Sequence, residues 1–199
     1  MKISEISLCE RILDVIESHI IPRTVKGVAA GNKIFGAAIL RKQDLSLVVA
    51  DTNSEIENPL LHGEISTLNS FFDIPKIDRP KPENCIFIST HEPCSLCLSA
   101  ITWANFDNFY YFFGYNDTRD SFNIPHDLNI LEEVFRIKHG QYSRTNKYWE
   151  CKDIISLVSE LPTNEGKVLK IQIERIKNKY IELSDLYQSV REKSEIPLF

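Results

Sequence analysis

The chain has 199 residues, a formal net charge of −5, 43% hydrophobic and 26% charged residues. This is the make-up of a globular protein with one well-buried core, too short for two independent large domains, and its acidic balance supplies no general field to attract the phosphates of a nucleic acid. No run of about 18 apolar residues reads as a membrane span, the first residues lack the pattern of a signal peptide, and five cysteines without an export signal point to a reducing, cytoplasmic setting rather than a disulfide framework.

In chain order, the spacing of Ile6, Cys9, Leu13, Ile16 and Ile20 predicts a helix over residues 3–19. Pro22 and the glycines at 27 and 31 are expected to end it. Residues 35–40 and 45–50 read as two strands of an antiparallel hairpin across a short polar connection. Residues 51–59 form a polar loop, and from His62 to Phe72 Ile65, Leu68 and Phe72 mark one side of a helix. Residues 73–84, with three prolines, are a surface connection. Residues 85–90 are a short apolar strand, residues 94–104 a helix entered through Pro93, residues 109–113 an aromatic strand, and residues 127–138 a further helix. Strand–helix alternation from Cys85 onward implies parallel crossovers and an α/β sandwich.

The last fifty residues differ in texture. Leu169, Ile173, Ile176, Tyr180, Leu183, Tyr187 and Val190 recur at alternating spacings of four and three, a heptad seam, with Asn164 as the expected N-cap. We therefore expect a catalytic domain over residues 1–150 and a C-terminal helical extension over residues 151–199, packed on that domain or on a dimer partner.

Chemistry concentrates in two segments. A catalytic zinc site takes three protein ligands and leaves one position open for water. His62, Cys94 and Cys97 supply such a set, with both cysteines at the start of a helix whose positive end favours thiolates. Glu64, two residues from a ligand, can stand beside the ion and shuttle protons. His-x-Glu followed by Pro-Cys-x-x-Cys is the zinc deaminase pattern. A closed structural site would need a fourth ligand, His91 or Cys85, and would leave Glu64 without a role.

The segments Phe35–Leu40, Asn58–Ile65 and Glu92–Ala104 resemble the cytidine deaminase-like superfamily, in the branch of guanine deaminases, fungal-type cytosine deaminases and tRNA adenosine deaminases. The resemblance covers about residues 5–140. It implies a three-layer α/β/α sandwich with a mixed, roughly five-stranded sheet, of which four strands are legible, and a homodimer. It implies one Zn2+ per chain, whose bound water attacks the amino-bearing ring carbon of a free nucleobase or nucleoside, guanine-like or cytosine-like, with Glu64 as proton shuttle. It also implies that the N–H groups of Gly63 and Cys94 face the reacting centre and that Asn53 contacts the base. Trp103 and Asp120, the latter in an Asp-Ser-Phe run, tilt the resemblance toward guanine deaminases; the run from His62 to Thr67 tilts it toward the fungal cytosine enzyme.

Phe35, Trp103, Phe113 and Tyr115 are candidates to wall a base pocket, although aromatics at such positions are more often core. His91 is expected as a neighbour of the site, and His19, His126 and His139 as structural or exposed. Two other functions compete: an adenosine or cytidine deaminase acting within RNA, for which Lys33, Arg41, Lys42 and Arg119 give thin support, and a zinc-stabilised binding module without catalysis, against which Glu64 argues.

Overall fold

The computed structural model describes residues 3–191 together with Ile196 and Pro197. It opens with helix α1, Glu5–Val15, capped by Ser4, whose hydroxyl accepts from the Ser7 N–H at 3.1 Å. Pro22 does not end the helix. The chain widens into one π-helical stretch, Ile16–Ile20, and continues as α2, Ile21–Ala29, with the proline in its first turn. A ring in mid-helix clashes with the carbonyl four residues back and removes a donor; a π turn shifts that register and makes room. The run stops at Gly31, whose φ of +101° is open to glycine.

Strands β1, Gly36–Arg41, and β2, Leu47–Thr52, form the expected hairpin, with a register shift between Ile39 and Leu40. Helix α3, Gly63–Asp73, and a 3₁₀ turn, Pro82–Asn84, lead to β3, Cys85–His91. Helix α4, Ser95–Trp103, β4, Asn108–Phe113, and a short helix α5, Tyr115–Asp120, follow. Helix α6, His126–Phe135, ends where Arg136 turns left-handed, three residues before the expected boundary.

The fifth strand is β5, Glu150–Asp153, and the expected domain boundary at 150/151 falls inside it. The sheet order is β2-β1-β3-β4-β5, antiparallel from β2 through β1 to β3 and parallel from β3 to β5. Both faces are covered, and the period of two in the strands shows it. Ala38, Leu40, Ile86 and Ile88 belong to one core with α1, α2, helix α7 (Ile154–Glu160) and helix α8 (Thr163–Val190). Ala37, Ile39, Cys85 and Phe87 belong to the other, with Leu68 and Phe71 of α3 and Ile101 of α4. The protein is an α/β sandwich of three layers.

Helix α8 starts earlier than expected, with Pro162 at the N-cap position and Asn164 inside the first turn. Six seam residues, Leu169, Ile173, Ile176, Tyr180, Leu183 and Tyr187, are buried in the first core, so the seam packs against α1, α2 and α7 of its own chain. Gln172 and Arg175 reach from α8 to the Glu17 carboxylate in the π segment.

Candidate active site

Helices α3 and α4 lie side by side and begin at the same place, with His62 and Cys94 as their N-cap residues in extended conformation. Two glycines permit this depth. A Cβ on Gly63 would stand 2.6 Å from the Gly36 Cα, so the α3 start rests directly on the β1 backbone. Thr90 ties the same point to β3, its hydroxyl bridging the Gly36 N–H and carbonyl at 3.0 Å each.

His62 Nδ1 is 3.5 Å from Cys94 Sγ and 3.7 Å from Cys97 Sγ, and the two sulfurs are 3.7 Å apart. A tetrahedral zinc with Zn–S bonds of about 2.3 Å and a Zn–N bond of about 2.05 Å requires about 3.8 Å between sulfurs and about 3.5 Å between sulfur and nitrogen. The three side chains are therefore positioned to bind a zinc ion without rearrangement. Among the described residues no fourth ligand joins them. Cys85 lies at the far end of β3, its thiol on the Lys81 carbonyl, and the His91 ring is enclosed by Phe35, Phe113, Phe122 and Tyr180.

Proton placement follows from burial and neighbours. Hydrogen bonding with Cys97, and then with His62 and its charge, holds Cys94 well below the usual thiol range against its own burial. Burial pushes Cys97 well above that range. Burial pulls His62 down, but the hydrogen bond and charge of Cys94 outweigh it and bring the imidazole up to about 9. The buried Glu64 carboxyl is raised, first by desolvation and then by the Cys94 charge. Its Oε2 lies 3.2 Å from Cys97 Sγ and its Oε1 2.8 Å from the Ser89 hydroxyl.

A cavity of about 330 Å³ opens on this cluster. Phe35, Leu60, Leu96, Ile124 and Ile130 form its apolar wall, and Lys33, Glu55, His126 and Asp127 bring polar groups to it. Burial, followed by the Cys94 charge, holds the Asp127 carboxyl well above its ordinary range. Glu55 and Asp127 escaped the sequence reading because isolated charged residues look solvated; Lys33, weighed there only as support for an RNA substrate, and His126, expected as structural or exposed, also line the cavity.

Of the residues expected at the site, the fold brings together Phe35, Asn53, His62, Gly63, Glu64, Cys94 and Cys97. Two it does not. Trp103 is 90% exposed and does not line the cavity; six residues past Cys97 on a helix of 3.6 residues per turn, it faces another direction. Asp120 ends α5 in an exposed fork with Arg119, at 2.6 and 2.7 Å. The Gly63 N–H is also spent otherwise, donating to Asn53 Oδ1 at 2.6 Å, while Asn53 Nδ2 donates to Glu55 at 2.7 Å. Phe113 packs around His91, and the Tyr115 hydroxyl donates to the Pro93 carbonyl at 2.6 Å, fixing the turn into Cys94.

Residues 21–113 match the family model of the cytidine and deoxycytidylate deaminase zinc-binding region. No curated protein matches the chain. Among solved structures, the guanine deaminase from Bacillus subtilis is 21% identical, with 69% of this chain and 85% of that chain covered and a TM-score of 0.52. A mutant of NE0047 in complex with 8-azaguanine is 14% identical, with 91% and 86% covered and a TM-score of 0.51. At these identities the likeness is one of fold. Among the described residues no helix is long and apolar enough to cross a membrane.

Proposed function

We propose that this chain, whose residues 21–113 match the zinc-binding region of cytidine and deoxycytidylate deaminases, is a hydrolytic deaminase of a free nucleobase or nucleoside, with Glu64 as its proton carrier. One observation carries the reading: three side chains positioned to bind a zinc ion, with a buried carboxyl beside them, opening into a cavity of about 330 Å³. That volume lies at the low end for small-molecule sites, which suits a single ring system. The bound ion would supply Lewis acidity and a water that ionises near neutral pH.

The chain's own residues do the rest. Glu64, anchored through Oε1 by the Ser89 hydroxyl and with Oε2 beside Cys97, can carry a proton to a ring nitrogen and to the departing amine. Phe35 lies along the cavity wall as a stacking surface, and Asp127 with Lys33 offers donors and an acceptor to a base edge. This reading transfers the acid expected at Asp120 to Asp127. The mixture of one cation and two carboxyls in an apolar wall favours an uncharged amino-substituted ring over a phosphorylated one. The five cysteines, all free and buried, suit a cytoplasmic setting. Trp103, with Leu96 and Ser99 on the same exposed face of α4, suggests that this face meets a second copy of the chain.

The test is ammonia release from guanine, cytosine, adenine, their nucleosides, pterins and triazines by the zinc-loaded protein. Turnover of at least one, abolished in Glu64→Gln with zinc retained, is the expected result. No turnover of any would overturn the small-substrate reading and turn attention to RNA or to a binding module; full activity in Glu64→Gln would overturn the mechanism.

A further inference from the structure

Three hydrogen-bond donors and a nearby histidine converge on Glu55, a residue outside the zinc motif. Its side chain is 1% exposed and that of Lys33 9%. Lys33 Nζ donates to Oε1 at 2.9 Å, Lys33 N to Oε2 at 3.3 Å, and Asn53 Nδ2 to Oε2 at 2.7 Å. The fourth neighbour is His62, whose Nε2 stands 3.7 Å from Oε1. The same Asn53 accepts the Gly63 N–H, so a single network pins the carboxylate and the backbone that carries the histidine.

Burying an ion pair is costly unless geometry and further hydrogen bonds offset the lost hydration. Here every bond holds the carboxylate in one orientation, with one oxygen toward His62. The opposite nitrogen of that ring, Nδ1, faces both sulfurs. A neutral imidazole has one N–H. If Nδ1 gives its lone pair to the metal, the hydrogen sits on Nε2 and points at Glu55. Outer-shell carboxylates of this kind fix the tautomer and orientation of a metal-binding histidine and raise its basicity.

We propose that Lys33 and Glu55 form a positioning pair for the zinc ligand His62: Glu55 selects the Nε2–H tautomer and aims Nδ1 at the ion, and Lys33 holds the Glu55 side chain in place. The pair acts through His62, and its role does not depend on which substrate enters or on whether the chain deaminates.

The test reads the metal and not ammonia. Zinc affinity is measured by competition with a chromophoric chelator for wild type, Glu55→Gln, Lys33→Met and Lys33→Arg, and the cobalt-substituted forms are compared by absorption. Glu55→Gln and Lys33→Met are expected to lose roughly 10–100-fold in zinc affinity, with altered cobalt bands, while Lys33→Arg stays within about threefold of wild type by the same reasoning. Wild-type affinity and spectra in Glu55→Gln would overturn the proposal and leave the pair as a loop staple. Should the variants not fold, nitrogen NMR of the zinc-loaded wild type decides. A hydrogen-bonded, slowly exchanging His62 Nε2–H supports the proposal, and a ring with Nε2 bare overturns it.

Discussion

Replacing His91 by leucine isolates the cost of a buried imidazole. His91 is 2% exposed; among the described residues its Nε2 has no hydrogen-bond partner, and the Thr90 hydroxyl meets its Nδ1 at 3.0 Å. Burial holds its pKa well below the ordinary 6.5. The sign follows: the unfolded chain takes up a proton as pH falls below about 6.5 and the folded chain does not, so stability is lost toward acid. For one such group the loss is near zero at pH 7.5 and about 2 kcal/mol at pH 5.0. With a urea dependence of about 2 kcal/mol/M this moves the midpoint by about 1 M. His91→Leu should be nearly neutral at pH 7.5, since Thr90 keeps both bonds to Gly36 and an unsatisfied nitrogen is removed. Urea unfolding of both zinc-free, reduced proteins at the two pH values is the assay. The variant should lose about 1 M less in midpoint between pH 7.5 and 5.0; an equal loss in both would refute the reasoning, because His91 would then be titrating in the folded state.

Gly63→Ala should cost about 1–3 kcal/mol by overpacking, because the new methyl meets the backbone of Gly36 and not a movable side chain; an unchanged urea midpoint would count against it. Glu17 is held below its ordinary 4.5, first by its hydrogen bond from Arg175, so its contribution is present above 4.5 and vanishes as pH falls through the lower folded value. Arg175 is well exposed and the Glu17 side chain 29% exposed, so solvent screens the pair and Glu17→Gln should cost at most about 1 kcal/mol at pH 7, and progressively less as the pH is lowered below 4.5; equal losses in thermal scans at pH 7 and at acid pH would exclude the pairing as the cause. Trp103→Glu should turn a dimer into a monomer in analytical ultracentrifugation, with the melting temperature of the protomer unchanged; a wild type that sediments as a monomer would dispose of the proposed interface.

The metal centre was legible because its chemistry is local. A histidine, two cysteines and a carboxylate at short spacings, each group opening a helix, leave few arrangements. The residues around the cavity were not. Lys33 and Glu55 are 22 positions apart and look like ordinary loop charges; only the fold shows that both side chains are buried against each other. Strand β5 was missed because Glu-Cys-Lys-Asp is short and polar, and its place in the sheet comes from pairing with β4. Pro22 misled for a definite reason, since the rule that proline breaks helices assumes α-helical register and the chain changes register before it. Trp103 and Asp120 were placed by likeness to other proteins, and helical phase and a neighbouring arginine carry them elsewhere.

The π-helical turn has a reach greater than its five residues. Ile20, its last member, presses on Gly36, where an added Cβ would run into the isoleucine Cγ2, and Gly36 in turn touches Gly63. Front layer, sheet and rear layer thus meet along a single line that ends beside His62, with no side chain between backbones on the rear half. An added methyl on Gly36 would therefore meet the isoleucine on one side, and one on Gly63 would meet the Gly36 backbone on the other, one residue away from the histidine that caps α3.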